Sequence, residues 1–494
     1  MKPLFGFDRR ASGVLLHPTS LPGRHGSGDL GSASREFIDR LADAGQSWWQ
    51  MLPINPPGNA PAYSPYSCPS SFAGSPWLIS LDDLVTDGLL DRRDVTPDST
   101  LRADRVSHAA VYAYRDARLR RAWKRLASAP PKDFAAFCTR HAGWLDDWAN
   151  FAALRERNRG AVWTKWKIND PNQLDAHDVD RHRFIQWLFF KQWARLRNHA
   201  RKSGVALIGD VPIFVGHDSA DVWAHRELFL LDRRGNPTVV TGCPPDPFSK
   251  TGQIWRHAHY DWPKHVAQKF DWWTARFAAT FELFDAVRID HFLGFYRLWA
   301  IPAKRNDGRI GKWIMVPGQK LLQTVTDRLG KLPIIAEDLG IVTKQAADLR
   351  DRFGFPGMRV LQFGFDSDAD FHRPHAWPRK CVAYTGTHDN DTIAGHFAAA
   401  KRARPAEYKR AATYAGDFSQ TADAMIRLAL TSVADTVIIP VQDLLGLDSS
   451  SRMNVPATVE DNWAWRMKPG QLTKKHLARL RELTEVSGRL PNRK

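Results

Sequence analysis

Arg288 and Asp290 stand two residues apart in Val287-Arg288-Ile289-Asp290-His291-Phe292. The apolar, largely β-branched neighbours make this stretch read as a buried strand. Side chains two apart on a strand point the same way. A carboxylate held beside a permanent cation stays ionised at neutral pH. Anchored at a strand end, such a carboxylate has what a nucleophile at a sugar's anomeric carbon needs. The same pairing is also a common structural ion pair, so chemistry requires partners from other strands.

Further polar residues close comparable apolar runs: Asp210, Glu337, Asp389 and Gln442-Asp443. Carboxylates at buried strand ends are costly unless paired or functional. Their environments suggest different roles. Asp290, beside Arg288, is the candidate nucleophile. Glu337 ends Ile334-Ile335-Ala336-Glu337 and becomes a candidate general acid if apolar surroundings and a nearby anion raise its pKa. Asp338 faces the other way and reads as structural. Asp389, in Gly386-Thr387-His388-Asp389-Asn390-Asp391, is placed to grip sugar hydroxyls more tightly as a ring distorts. Each has a bland alternative as a helix cap, a turn former or a buried ion pair.

The elements that must position these groups follow from patterning. Eight β-rich, mostly apolar runs occur at residues 12–17, 48–54, 206–214, 286–292, 333–340, 359–365, 381–389 and 436–444, most preceded by helical stretches. Near-continuous apolar strands indicate a parallel sheet covered on both faces. Eight strand–helix alternations predict an α/β fold, a (β/α)8 TIM barrel, with chemistry at the C-terminal strand ends. An open doubly wound sheet is the alternative, but no Gly-rich phosphate fingerprint follows a strand. A barrel takes about 250 residues. The expected organisation is therefore one catalytic barrel over residues 1–494 with two insertions. Residues 56–181 read as mostly helical, and residues 216–262 as a loop-rich lid beside the site.

Composition narrows the function class. At 494 residues with 43% hydrophobic content, the chain can bury a large core. No apolar run reaches the roughly 18 residues of a membrane helix, and the first residues lack the apolar centre of a signal peptide. The cysteines Cys68, Cys138, Cys243 and Cys381 are far apart, form no CxxC and suggest no zinc site, so a reduced, cytoplasmic protein is expected. The net charge of +17 raises nucleic-acid binding, but the basic residues are scattered and carry no recognition motif. A solvated basic surface is the better reading. Among the 20 tryptophans, Trp255 and Trp299 lie beside polar motif residues and are the candidates for ligand contact.

The motifs together resemble the 4-α-glucanotransferases of glycoside hydrolase family 77. The likeness runs nearly end to end. It rests on Gly13-Val14-Leu15-Leu16-His17-Pro18-Thr19-Ser20-Leu21-Pro22, Ser64-Pro65-Tyr66 with Phe72-Ala73-Gly74, and Gly209-Asp210-Val211-Pro212-Ile213. Pro244-Pro245-Asp246, Thr251-Gly252-Gln253 with Trp255, and Arg288-Ile289-Asp290-His291 follow. Ala336-Glu337-Asp338-Leu339-Gly340, Leu361-Gln362-Phe363, the Thr387-His388-Asp389 segment, Arg452-Met453-Asn454 and Asn462-Trp463-Ala464-Trp465-Arg466 complete it. The carboxylate trio alone would indicate only the wider α-amylase clan.

The resemblance implies a retaining double displacement with Asp290 as nucleophile, Glu337 as acid and Asp389 as stabiliser. It implies substrate-binding roles for Tyr66, Asp218, Gln253, Trp255, Arg288, His291 and His388. Expected partners are maltooligosaccharides, amylose or glycogen-derived glucans, with no cofactor, metal, nucleic acid or membrane. The glycosyl-enzyme would be resolved by a glucan 4-hydroxyl, which requires excluding water. A hydrolase of the same clan and a non-catalytic glucan-binding scaffold are the competing readings. Departures from the family pattern are Arg256-His257-Ala258 where Gly-Asn-Pro is usual, His396-Phe397 in place of an aromatic pair, Ser75 before Pro76, and the segment 366–377. The first puts acceptor preference and loop mobility in question.

Overall fold

The eight apolar runs close on themselves. In the computed structural model, which describes residues 6–59, 62–245, 250–340, 342–366 and 370–491, eight parallel strands form a barrel. They are β1 (Ala11–Leu15), β2 (Trp48–Gln50), β3 (Ala206–Pro212), β6 (Ala286–Asp290), β9 (Ile334–Ala336), β10 (Gly357–Val360), β11 (Cys381–Tyr384) and β12 (Thr436–Pro440). β4 (Val239–Cys243), β5 (Gln253–Ala258), β7 (Arg297–Pro302) and β8 (Lys312–Met315) lie outside it.

Alternation along each strand builds the interior. Leu15, Trp48, Ile208, Ala286, Ile335, Met358, Val382 and Ile438 form one buried cluster, while Leu207, Val287 and Ile334 join the larger cluster outside it. In that alternation Asp210 shares the face of Ile208, and Arg288 and Asp290 share the face of Ala286. Parallel register pairs Asp210 with Arg288, Pro212 with Asp290, and Ile289 with Ala336. One strand pairing thus brings a carboxylate beside the arginine, and the next brings Glu337 level with Asp290.

The strands are shorter than the apolar runs. Residues 361–365 form a 3-10 helix and 441–444 an α-helix, while 337–340 and 385–389 are irregular, although Glu337 still exchanges backbone hydrogen bonds with Ile289 and Phe292. After β9 the Glu337 side chain takes the His291 and Leu339 N–H groups, so the chain turns there instead of extending the strand.

Residues 56–181 carry helices His108–Leu126 and Lys132–Arg157, and the latter packs along Ala176–Lys202. The stretch read as loop-rich contains strands. β4 and β5 pair antiparallel, β4 also pairs with β7, and β7 with β8, giving a four-stranded sheet in the order β5-β4-β7-β8. Two separate excursions from the barrel build it, which is why neither looked like a sheet alone. Within the described residues no helix is long and apolar enough to cross a membrane.

Candidate active site

Arg288 is the hub of the barrel mouth. Its Nη2 donates to Asp290 Oδ1 at 2.9 Å, and its Nη1 donates to both oxygens of Asp210, each at 2.9 Å. The guanidinium is nearly buried and the Asp210 side chain fully so, whereas the Asp290 side chain is 33% exposed. Asp290 is therefore anchored through one oxygen while it faces the open cleft. Asp210 was recognised from sequence as a strand-end carboxylate but given no role, because its pairing with Arg288 depends on strand register.

The network continues through Tyr66. Its hydroxyl donates to Asp210 Oδ2 at 2.9 Å and lies 2.8 Å from His388 Nε2. The two rings stack at 5.2 Å with an interplanar angle of 12°, and Trp463 tilts against both. Burial pushes the Tyr66 hydroxyl well above its usual range, reinforced by Asp210, so it remains a donor.

Glu337 follows the short strand β9. His291 adopts a left-handed backbone (φ 54°, ψ 54°), a conformation uncommon outside glycine, and its N–H donates to Glu337 Oε2 at 2.7 Å. The Leu339 N–H donates to Oε1 at 2.9 Å. Burial nevertheless raises the Glu337 carboxyl to about 7; Arg288 opposes the shift and the Asp290 charge adds to it. The pair is thus differentiated: an arginine-held carboxylate beside a carboxyl poised to carry a proton near neutrality. Asp338 is indeed turned away, bound by Arg350 and by the Met358 N–H at 2.7 Å.

Asp389 hangs from the loop after β11. Asn454 Nδ2 donates to its Oδ1 at 2.6 Å, and Arg452 Nη2 donates to its backbone carbonyl at 3.1 Å. His388 Nε2 lies 3.4 Å from its Oδ2. Neither Asn454 nor Arg452 had been given a role, although both stand in a motif the sequence singles out. Asp443 has a different use. It accepts from Thr385 Oγ1 at 2.6 Å and from the first N–H of helix Ile393–Ala403 at 2.8 Å, tying a strand end to a helix start.

These groups open into a cleft of about 720 Å³ lined by Tyr66, Gln253, Trp255, Arg288, Asp290, His291, Glu337, His388 and Asp389. The outer sheet supplies one wall. Trp255 meets His291 edge-on at 5.0 Å and donates to Gln253 Oε1 at 3.2 Å. Trp299 turns its indole N–H to the Gly308 carbonyl, and its cross-strand partner Trp313 lines the cleft instead. Asp218 stands apart from the cleft lining and accepts from Asn59 Nδ2 and the Trp163 N–H. Asp246 and the rest of 246–249, within the expected lid, lie outside the described residues. Among the described residues no cluster of His, Cys, Asp and Glu could hold a metal ion.

The family model of 4-alpha-glucanotransferases matches residues 16–473. The chain belongs to glycoside hydrolase family 77. A 4-alpha-glucanotransferase of Thermus thermophilus is 43% identical, the match covering 97% of this chain and 99% of that one. A chloroplastic/amyloplastic 4-alpha-glucanotransferase of Solanum tuberosum is 41% identical over 98% of this chain and 87% of its own. Among solved structures, the amylomaltase of Streptococcus agalactiae in complex with acarbose superposes with a TM-score of 0.94 at 34% identity, covering 98% of this chain and 100% of that chain. Family 77 membership fits a cleft with a raised carboxyl, an arginine-held carboxylate and an aromatic wall.

Proposed function

We propose that this 4-alpha-glucanotransferase works by a retaining double displacement on α-1,4-glucans. The observation that carries the proposal is the split between two neighbouring carboxyls: Asp290 held by Arg288, and Glu337 raised to about 7 by burial. Asp290 attacks the anomeric carbon while Glu337 gives its proton to the departing glycosidic oxygen. The covalent glycosyl-enzyme then forms, and Glu337, now ionised, takes the proton from an incoming 4-hydroxyl. Asp389, fixed by Asn454, grips hydroxyls of the sugar at the reacting centre and stabilises its oxocarbenium-like state. Tyr66, His291 and His388 line the same mouth and orient that sugar, while Gln253 and Trp255 serve the acceptor side. Asp218 acts at one remove, holding the Asn59 and Trp163 segments beside the acceptor groove.

Transfer rather than hydrolysis requires that an acceptor displace water. Gly242, Pro244, Pro245, Trp255 and His257 on one side, and Pro456, Ala457 and Trp463 on the other, make both cleft walls substantially apolar. This supports a reading of the β4–β5 ribbon as a lid. Amylose and glycogen-derived chains are the expected substrates beyond short maltooligosaccharides. Cys68, Cys138 and Cys381 form no disulfide among the described residues, which supports a reducing, cytoplasmic setting.

The test is incubation with pure maltotriose, with products resolved over time. A ladder of longer maltooligosaccharides with accumulating glucose is expected. Only maltose and glucose would mean that water wins as acceptor; no conversion would leave a glucan-binding protein.

A further inference from the structure

The His17-Pro18-Thr19-Ser20 segment follows β1 at the catalytic end of the barrel, yet no step of the mechanism uses it. The Nδ1 atom of His17 is shielded from solvent and bonded to no group in the structure. Burial is the main cause that holds the ring's pKa down to about 3, and the neighbouring His388 pushes it the same way. His17 is therefore neutral at any ordinary pH; its one ring N–H goes to the Leu52 carbonyl, which leaves Nδ1 as an acceptor.

His388 fixes the other side of the argument. Tyr66 has a single proton, and the Asp210 carboxylate receives it. The 2.8 Å contact between the Tyr66 oxygen and His388 Nε2 then requires His388 to donate from Nε2. In a neutral ring this leaves Nδ1 as an acceptor. The His388 ring lines the substrate cleft and also a small cavity of about 20 Å³, whose other walls include His17, Asp391, Gln442 and Arg452. That volume suits one water molecule, and the wall is polar enough to hold it.

We propose that His17 is a positioning residue for His388, acting through a single structural water bound in this cavity. The water donates one proton to His17 Nδ1 and the other to His388 Nδ1. Arg452 lines the same cavity, and its shielded Nε, which has no hydrogen-bond partner among the described residues, donates to the water oxygen. The tautomer and tilt of His388 are thereby set from beneath, so its Nε2–H points to Tyr66 and the sugar side. The chain of contacts runs His17, water, His388, Tyr66, Asp210, Arg288, Asp290. The kinetic part of this inference rests on the reading of the cleft as the glucan site; the water site itself does not.

Two measurements test it. An atomic-resolution crystal structure of the unmodified protein should show a water within hydrogen-bond distance of ring nitrogens of both His17 and His388. Absence of that water overturns the proposal whatever the activity. Kinetics on maltotriose with His17→Phe and His17→Asn supply the second arm, with thermal melts to establish folding. His17→Phe should raise KM about tenfold, the scale of one lost hydrogen bond, with a smaller change in kcat. His17→Asn keeps a hydrogen-bond acceptor for the water and should recover most of the loss. A folded His17→Phe with unchanged KM, or a His17→Asn as impaired as His17→Phe, would show that His17 only packs. If the water is present and the unmodified protein fails to elongate maltotriose, the glucanotransfer reading fails and the water site stands.

Discussion

Arg288 makes two contacts to Asp210 and one to Asp290. The carboxylate it holds more completely is thus the buried one that cannot reach substrate. This division keeps the guanidinium aimed while leaving Asp290 one unengaged oxygen for attack. If Asp210 lost its charge, Asp290 would be the one carboxylate among the described residues still hydrogen-bonded to Arg288, and Arg288 would pull it from line. Asp210→Asn should therefore lower kcat on maltotriose at least about tenfold, or about 1.4 kcal/mol of barrier. Asp210→Ala should also lower stability by about 3 kcal/mol or more, since it leaves a buried cation short of its partner. Denaturant unfolding and steady-state kinetics check both; an Asp210→Asn protein with full kcat would remove Asp210 from the site.

Asp290→Asn keeps the shape of the residue held by Arg288 but cannot attack. Turnover should vanish while glucan affinity persists, measured by calorimetric titration with a maltooligosaccharide. Persistence of turnover would reassign the nucleophile.

Glu337 sets the pH profile. Its carboxyl is raised by burial to about 7 from the usual 4.5. The acid form needed for leaving-group protonation is present below about 7 and is lost as pH rises through it. The alkaline limb of kcat/KM should fall there. The same shift bears on stability. The folded protein binds this proton more tightly than the unfolded chain, so the contribution is complete below 4.5 and declines as pH rises to about 7. Glu337→Gln should remove that decline from unfolding measurements. It should also abolish transfer between unactivated glucans but leave reaction with donors carrying a good leaving group. Equal loss on both donors would argue against the acid role.

Much of the candidate site's geometry was legible because it coincides with patterning. Arg288 and Asp290 share a strand face by period two, and Glu337 and Asp389 follow apolar runs. The Asp210–Arg288 contact was not legible, because it depends on which strands are neighbours. The outer sheet was hidden for a related reason: β4–β5 and β7–β8 come from separate excursions, so no local stretch carried its pattern. Trp299 and Trp313 show the limit most clearly. They are cross-strand partners on one face of that sheet, yet Trp313 lines the cleft and Trp299 does not, a difference set by strand position in a sheet that no local stretch reveals.

Arg256 lies where family members usually have glycine, and the structure explains why that matters. Its φ is 62°, inside a bulge where β5 carries extra residues opposite Thr241. The bulge places Trp255 and His257 at the cleft, the His257 N–H bonds Thr241 Oγ1 at 3.2 Å, and Arg256 donates to Asn306 Oδ1 at 3.1 Å. Arg256→Gly should relieve roughly 1 kcal/mol of backbone strain while releasing the ribbon from Asn306. The melting temperature should rise or hold, and the acceptor KM for glucose should change. Asn306→Ala releases the ribbon without relieving strain, so it should reproduce the kinetic change alone. Kinetics unchanged in both variants would show that this departure is silent.

Asn454 tests whether Asp389 is held for catalysis or simply occupies the rim. Its amide donates to Asp389 Oδ1 at 2.6 Å from a loop that also carries Trp463 against Tyr66 and His388. Both residues are only partly buried, so losing the contact exposes them to water rather than orphaning a buried group. The fold should tolerate Asn454→Ala within about 1 kcal/mol. The reaction should not, if Asp389 tightens on the sugar hydroxyls as the ring distorts. That interaction belongs to the transition state, so kcat and kcat/KM should fall together, by about tenfold, with KM nearly unchanged. A rise in KM alone would mean that Asn454 and Asp389 grip ground state and transition state equally, which would make Asp389 a binding residue and not a stabiliser of the reacting centre.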